Sequence, residues 1–103
     1  MQENFYQQAL YVVKEGNENL FITAWDRFIQ ALSEAAASQL IKGTLIQSQS
    51  DSKVFYSFGV WESLEPIKEL QNHAEIKKAL SDMSALCDKW EPGSYTIRRQ
   101  HTF

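Results

Sequence analysis

The segment from Phe55 to Ser63 constrains the fold of this chain more than any other. It is rich in aromatic and β-branched residues, and it runs into a tryptophan and then a helix start. That composition is typical of a strand that ends at a helix. The alternation of side chains along a strand predicts two faces. They consist of Val54, Tyr56, Phe58 and Val60 on one side, and Phe55, Ser57, Gly59 and Trp61 on the other.

Neither face of this strand is polar, so both are expected to be buried. A chain of 103 residues has enough helix to cover one face of a sheet only. The other face therefore needs a partner, and the simplest partner is a second copy of the same chain. The sequence predicts a homodimer.

Length and composition limit the class of protein. A chain of 103 residues with 44% hydrophobic and 22% charged residues is expected to form one globular domain, residues 1–103. The net charge of −3 argues against a nucleic-acid partner, since nucleic-acid surfaces are usually basic. No apolar run approaches the roughly 20 residues that span a bilayer, so no membrane partner is expected.

Two features predict a cytoplasmic location. The N-terminus lacks the basic-then-apolar layout of a secretory signal. The single cysteine, Cys87, allows no internal disulfide, which fits a reducing compartment. Because Cys87 stands on an apolar stripe, its thiol is expected to be inert.

Hydrophobic periodicity and turn residues predict the secondary structure. Apolar residues from Ile76 to Trp90 recur at spacings of three and four, which predicts a helix that opens at Asn72 and stops at Pro92-Gly93. The predicted elements in the first half are a strand at Phe5–Lys14, a helix at about Glu18–Ala36, a strand at Gln39–Ser48 and a strand that ends at Trp61. A short helix capped by Ser63, the helix from Asn72 and a strand at roughly Tyr95–Thr102 follow.

This order of elements predicts an α+β fold of the ferredoxin-like, split βαβ type. In that layout a four-stranded antiparallel sheet carries its helices on one face.

The chain resembles the antibiotic biosynthesis monooxygenase (ABM) family of dimeric α+β-barrel proteins. The resemblance extends from Leu10 to about Arg98. The residues behind it are Phe21 and Trp25 on the first helix, Leu45 to Ser48 before the hairpin, and Val60-Trp61-Glu62-Ser63. It implies a homodimer whose two sheets pack face to face, and a pocket in each subunit between the sheet and its helices.

The resemblance also implies a class of chemistry. Some family members oxidise polycyclic or quinol substrates with O₂ and no cofactor, whereas others degrade haem or isomerise phosphorylated sugars. Members that oxidise polyketides pair the tryptophan with an asparagine four residues before it and a tyrosine six after it. Ser57 and Ile67 occupy those positions here.

The other catalytic sets of the family are also missing. Haem-degrading members have a tryptophan nine residues after the signature tryptophan and a histidine nineteen after it, where this chain has Leu70 and Leu80. Members acting on quinols or sugars often have histidines nine and fourteen residues after it, where this chain has Leu70 and Glu75.

Three residues are candidate catalytic groups. Trp61 offers a flat face and an N–H donor to an aromatic substrate, or it packs the strand end against the helices. Ser57 points to the same side and offers a hydrogen bond, unless neighbouring backbone groups take it; Gly59 between them leaves room for a cavity. His73 stands near a helix N-terminus, where the dipole favours a neutral imidazole able to accept a proton, or it is simply exposed.

The sequence supports three hypotheses of function. The leading hypothesis is a cofactor-independent monooxygenase that oxidises a small aromatic or quinol-type substrate with O₂. No cofactor and no protein-bound metal are expected. The alternative is a non-catalytic module that binds a small molecule, and the third hypothesis is a small-molecule isomerase. A cavity without titratable groups favours the module, whereas a polar cluster in the cavity opposes it.

Overall fold

Four antiparallel strands form one sheet. The computed structural model describes residues 5–36, 40–62, 70 and 72–103. Its elements are β1 (Phe5–Val13), α1 (Glu18–Ala36), β2 (Leu40–Gln47), β3 (Val54–Trp61), α2 (Ala74–Ala85) and β4 (Cys87–Thr96). The strands lie in the order β2-β3-β1-β4, and each neighbouring pair is antiparallel. This is the ferredoxin-like α+β fold that the sequence predicts.

The first three strands and the first helix agree closely with the prediction. The turn before α1 needs a glycine, because Gly16 has a φ of +89° in the left-handed region. The carbonyl of Asn17 accepts a bond from the Phe21 N–H at 2.9 Å, as expected of the residue that precedes the helix. The short helix assigned to Ser63 falls outside the described residues.

The predicted course of the C-terminal third is wrong. Helix α2 ends at Ala85, and residues 87 to 93 belong to β4 instead of the helix. His73, not Asn72, occupies the position before α2, and no side chain caps it. The last strand is Cys87–Thr96 and not Tyr95–Thr102.

A bulge explains why the strand resembled a helix. Cys87 pairs with Val13 and Trp90 with Tyr11, and the register shifts between Val12 and Val13. The extra residue lets Cys87 and Trp90, three positions apart, pack against the same core. An i, i+3 apolar spacing therefore arises in a strand. Pro92 fits there because β4 is an edge strand.

The core lies between the sheet and the two helices. Phe21 of α1 is fully buried between Tyr11 and Phe55, with ring centroids 4.8 and 5.0 Å away. Val13 and Met83 complete this cluster with almost no exposure. The aromatic residues of β1 and β3 thus fix the position of α1 on the sheet.

The second face of the sheet is covered by neither described helix. Its aromatic rings contact one another, with Tyr6 5.7 Å and Tyr56 6.5 Å from Phe58 between ring centroids. Ile46 is 46% exposed and Tyr95 is 54% exposed. No helix in the described part of the chain is both long and apolar enough to cross a membrane.

Replacing Phe21 should test the packing of α1. Phe21→Ala should lower the free energy of unfolding by about 3–5 kcal/mol, because it leaves a cavity between two aromatic rings. The matched control is Leu20→Ala, at a neighbouring position of the same helix that is 59% exposed. It should change stability by less than about 0.5 kcal/mol. Urea denaturation measures both, and similar losses would contradict this assignment of the core.

Candidate functional site

A cavity of about 360 Å³ lies between the sheet and the helices. Helix α1 contributes Phe28, Ile29 and Leu32, and α2 contributes Ile76 and Leu80. The opposite wall consists of residues from all four strands. The volume is within the range of pockets that bind small organic molecules.

Two facing glycines in the cavity wall let other side chains approach the sheet closely. Gly43 of β2 pairs with Gly59 of β3, and both line the space. A Cβ atom on Gly43 would lie 3.1 Å from Ile29 Cδ1, and one on Gly59 would lie 3.2 Å from Trp61 Nε1. These distances are tight, so side chains here would press on α1 and on the Trp61 ring. The space that the sequence predicts beside Gly59 is therefore taken by the Trp61 indole.

Trp61 both packs the strand end and lines the cavity. It is 2% exposed and contacts a cluster that contains Leu32 and Ile76. Its indole N–H donates to Gln7 Oε1 at 3.1 Å. The two roles weighed for Trp61 from the sequence are therefore compatible, but its donor is already satisfied within the protein.

Ser57 faces the same side as Trp61, as the alternation predicts, and it lines the cavity. Its hydroxyl oxygen accepts a hydrogen bond from Trp25 Nε1 at 2.9 Å. This partner is a side chain of α1 and not the neighbouring backbone. Because the oxygen accepts from Trp25, the Ser57 proton is left to donate elsewhere.

Tyr11 places a neutral phenol in the cavity wall. Burial, with a smaller contribution from the negative charge of Cys87, raises the pKa of Tyr11 to about 12, although the Ser57 hydroxyl acts in the opposite direction. Tyr11 is thus a neutral hydrogen-bonding group at physiological pH. Burial, followed by the charge of Asp88, likewise raises the pKa of the Cys87 thiol to about 11, which disfavours the reactive thiolate.

Trp90 stacks on Tyr11, with ring centroids 6.4 Å apart and planes 8° apart. Its indole nitrogen is buried and forms no hydrogen bond with any described residue. Unpartnered buried donors are rare in folded proteins. Trp90 also lines the cavity, so this donor belongs to the same wall as Tyr11.

His73 does not join the other two candidate residues. It is exposed at the start of α2 and is absent from the described cavity wall. The structure therefore brings Trp61 and Ser57 together and leaves His73 apart. Among the described residues, no group of histidines, cysteines and carboxylates is arranged to hold a metal ion.

The sequence did not single out Gln7 or Trp90 as site residues. Gln7 is a polar side chain in β1 between Phe5 and Ala9, on the face that packs against the helices. A lone polar residue on an otherwise apolar face is the signal that was available for it. Trp90 was assigned to a helix, so no pattern placed it beside Tyr11.

The comparisons with known proteins rest on structure. No protein-family model matches the sequence. No curated protein matches it either. The fold, in contrast, is similar to those of many solved structures.

SnoaB, a cofactor-independent oxygenase from Streptomyces nogalater, has a TM-score of 0.81 at 15% identity, covering 97% of both chains. A Nitrosomonas europaea protein proposed to be an antibiotic biosynthesis monooxygenase has a TM-score of 0.78 at 12% identity, covering 95% of this chain and 93% of its own. A possible oxidoreductase from Bacteroides thetaiotaomicron has a TM-score of 0.80 at 13% identity, covering 94% of this chain and 100% of its own. The ABM-type fold expected from the resemblance is confirmed.

The pKa of Tyr11 should give the protein a characteristic loss of stability at high pH. Its folded-state value, about 12, exceeds the ordinary value of 10.0, so the folded chain holds this proton more tightly than the unfolded chain does. The stabilisation is complete below pH 10 and is lost as the pH rises towards 12, by about 1.4 kcal/mol per pH unit.

Ultraviolet titration of phenolate and urea denaturation at several pH values measure this effect. Tyr11→Phe should remove the absorbance component with a pKa of about 12 and make the stability fall less steeply than in the wild type. The control Tyr95→Phe, which removes an exposed phenol, should keep that component. If the absorbance component with a pKa of about 12 were still present in Tyr11→Phe, another tyrosine would be the buried one.

Proposed function

We propose that the protein is a cofactor-independent monooxygenase that oxidises a small aromatic, quinol-type substrate with O₂. The observation that supports this most is the character of the cavity. Its described lining is apolar apart from uncharged polar groups, and it contains no Asp, Glu, Lys, Arg or His. Such a site suits a flat aromatic molecule whose charge is delocalised.

The chemistry needs little from the protein, because the substrate is itself the reductant. Loss of a proton from a quinol or a related carbon acid gives an electron-rich anion that can pass an electron to O₂. Recombination and loss of water convert a CH₂ group and O₂ into a carbonyl group and H₂O, which balances atoms and electrons. The protein then has to bind the substrate, exclude water and stabilise the anion with fixed donors.

The cavity wall offers such donors in the Ser57 hydroxyl and the Gln7 amide. Trp25 holds Ser57, and Trp61 holds Gln7. Both bonds link side chains across the interior, so the polar groups are fixed before a substrate arrives. His73 lies outside the described wall, so we leave it out of the proposed site, and the substrate proton passes to solvent at the cavity opening.

The similarity to SnoaB supports the proposal through the fold. It adds no residue, because 15% identity over 97% of the chain establishes a shared architecture only. A cytoplasmic location is part of the proposal, since the described chain holds a free cysteine and reducing conditions keep thiols free.

One observation favours a second candidate, the non-catalytic binding module. No acid or base that titrates near neutral pH is present in the described lining. Against it stands the polar cluster of Gln7, Tyr11 and Ser57, which a purely apolar ligand would not need. An isomerase of phosphorylated sugars is disfavoured, because the described wall has no cation to pair with a phosphate.

We also propose that two copies of the chain pack through the second face of the sheet. That face presents a contiguous set of aromatic and aliphatic residues, including Tyr56, Phe58, Ile46 and Tyr95, which neither described helix covers. Large exposed apolar patches on soluble proteins usually mark an interface. A second sheet of the same shape would bury both patches at once.

Oxygen uptake tests the proposed activity. Purified, metal-stripped protein is incubated with a panel of quinols, anthrones and naphthols. We expect uptake by the wild type and a loss of about tenfold or more in Trp61→Phe, because the polar wall loses a fixing bond. The control Tyr95→Phe, on the other face of the sheet, should keep the wild-type rate.

Uptake that Trp61→Phe does not alter would remove the role assigned to Trp61. No uptake across the panel, with some members still raising the melting temperature, would favour the binding module instead.

Light scattering tests the dimer. At micromolar concentration the wild type should have twice the chain mass of 11.9 kDa. Ile46→Glu should shift it to the monomer, because a buried, unpaired carboxylate in the interface is costly. The control Leu20→Glu, on the exposed side of α1, should remain dimeric, and a monomeric wild type would refute the proposed interface.

A further inference from the structure

We infer that Gln7 is the residue that binds an oxygen atom of the ligand in the cavity, and that Trp61 is its positioning residue. The inference rests on the proposed function, since it concerns the same cavity. It defines the ligand class more narrowly: a flat aromatic molecule with a hydrogen-bond-accepting oxygen, such as a phenolate or a quinone carbonyl.

The bond between Trp61 and Gln7 fixes the orientation of the Gln7 amide. An indole N–H can only donate, so the Gln7 atom that lies 3.1 Å from Trp61 Nε1 has to be the carbonyl oxygen. The assignment of oxygen and nitrogen in this amide follows from chemistry. The NH₂ group, with its two donors, is therefore turned away from Trp61.

The surroundings of Gln7 leave room for a ligand. The strand register places Gly59 on one side of Gln7 and Ser94 on the other. Gly59 has no side chain, which lets the Trp61 indole approach the backbone there: a Cβ atom on Gly59 would lie 3.2 Å from Trp61 Nε1. Gln7, Gly59 and Ser94 all line the cavity. The Gln7 amide thus contacts the Trp61 indole on the Gly59 side and forms part of the cavity wall.

The rest of the wall selects the ligand skeleton. Phe28, Leu32 and Leu80 form apolar walls from the two helices, which suits aromatic rings and not sugars. An amide N–H donor in such surroundings stabilises negative charge on oxygen more strongly than water-exposed donors do. A phenolate fits this site when its oxygen accepts from the Gln7 amide and its rings lie against the apolar walls between the helices and the sheet.

Gln7→Glu tests this role without removing the bond to Trp61. The carboxylate has the same shape and still accepts from the Trp61 N–H, but it offers no donor to the ligand and repels an anion. We expect the affinity for 1,4-naphthoquinone, whose oxygens can only accept hydrogen bonds, to fall about tenfold or more, and the affinity for naphthalene, which has no oxygen, to change less than about twofold. The control Gln49→Glu, exposed in the β2–β3 hairpin, adds the same charge elsewhere and should bind both probes like the wild type.

Nuclear magnetic resonance gives a second readout that does not depend on turnover. The side-chain amide protons of Gln7 should move downfield when 1,4-naphthoquinone binds and should not do so with naphthalene. Trp61→Phe should reduce the preference for 1,4-naphthoquinone over naphthalene, because the amide is then free to turn. If Trp61→Phe only destabilised the fold, the affinity for both probes would fall by the same factor.

Three results would overturn the inference: equal loss of affinity for both probes in Gln7→Glu, Gln7 amide resonances that do not respond to saturating 1,4-naphthoquinone, or no binding of either probe. The outcome is separable from that of the proposed function. Gln7-dependent binding of 1,4-naphthoquinone without oxygen uptake on the substrate panel refutes the oxygenase and keeps the inference. Oxygen uptake that Gln7→Glu leaves unchanged refutes the inference and keeps the oxygenase.

Discussion

The packing of Phe21 between Tyr11 and Phe55 is the interaction on which the rest of the structure depends. It holds α1 at a fixed height above β1 and β3. Farther along the sheet, Ile29 of α1 packs closely over Gly43, and the Trp61 indole packs over Gly59. The cavity lies between the sheet and the helices, with both glycines in its wall.

Two tryptophan hydrogen bonds give the cavity its chemical character. Trp25 reaches from the helix to Ser57, and Trp61 reaches along the sheet to Gln7. In each case the indole can only donate, so its partner turns an acceptor towards it. The described lining has uncharged polar groups and no charged residue, which is the character that the proposed oxidation of an aromatic substrate requires.

Much of the fold could be predicted, because local patterns and tertiary contacts agree over most of the chain. The stripe of Phe21, Phe28 and Leu32 predicts α1 correctly, and the alternation in β3 assigns Ser57 and Trp61 to one face. The prediction failed after Ala85. There Cys87 and Trp90 have a helical spacing, but the bulged pairing of β4 with β1 outweighs it, and no local pattern reveals which distant strand will pair.

The sequence by itself determined the order of the elements as far as the start of α2, the two faces of β3, and the place of Trp61 beside the helices. These follow from periodicities of 2 and 3.6 residues, which are properties of the local chain. Only the tertiary structure decided that Gln7, Tyr11, Ser57 and Trp90 share one cavity and that His73 does not. They come from three different strands, and the register that aligns those strands is set by pairing between residues far apart in the chain.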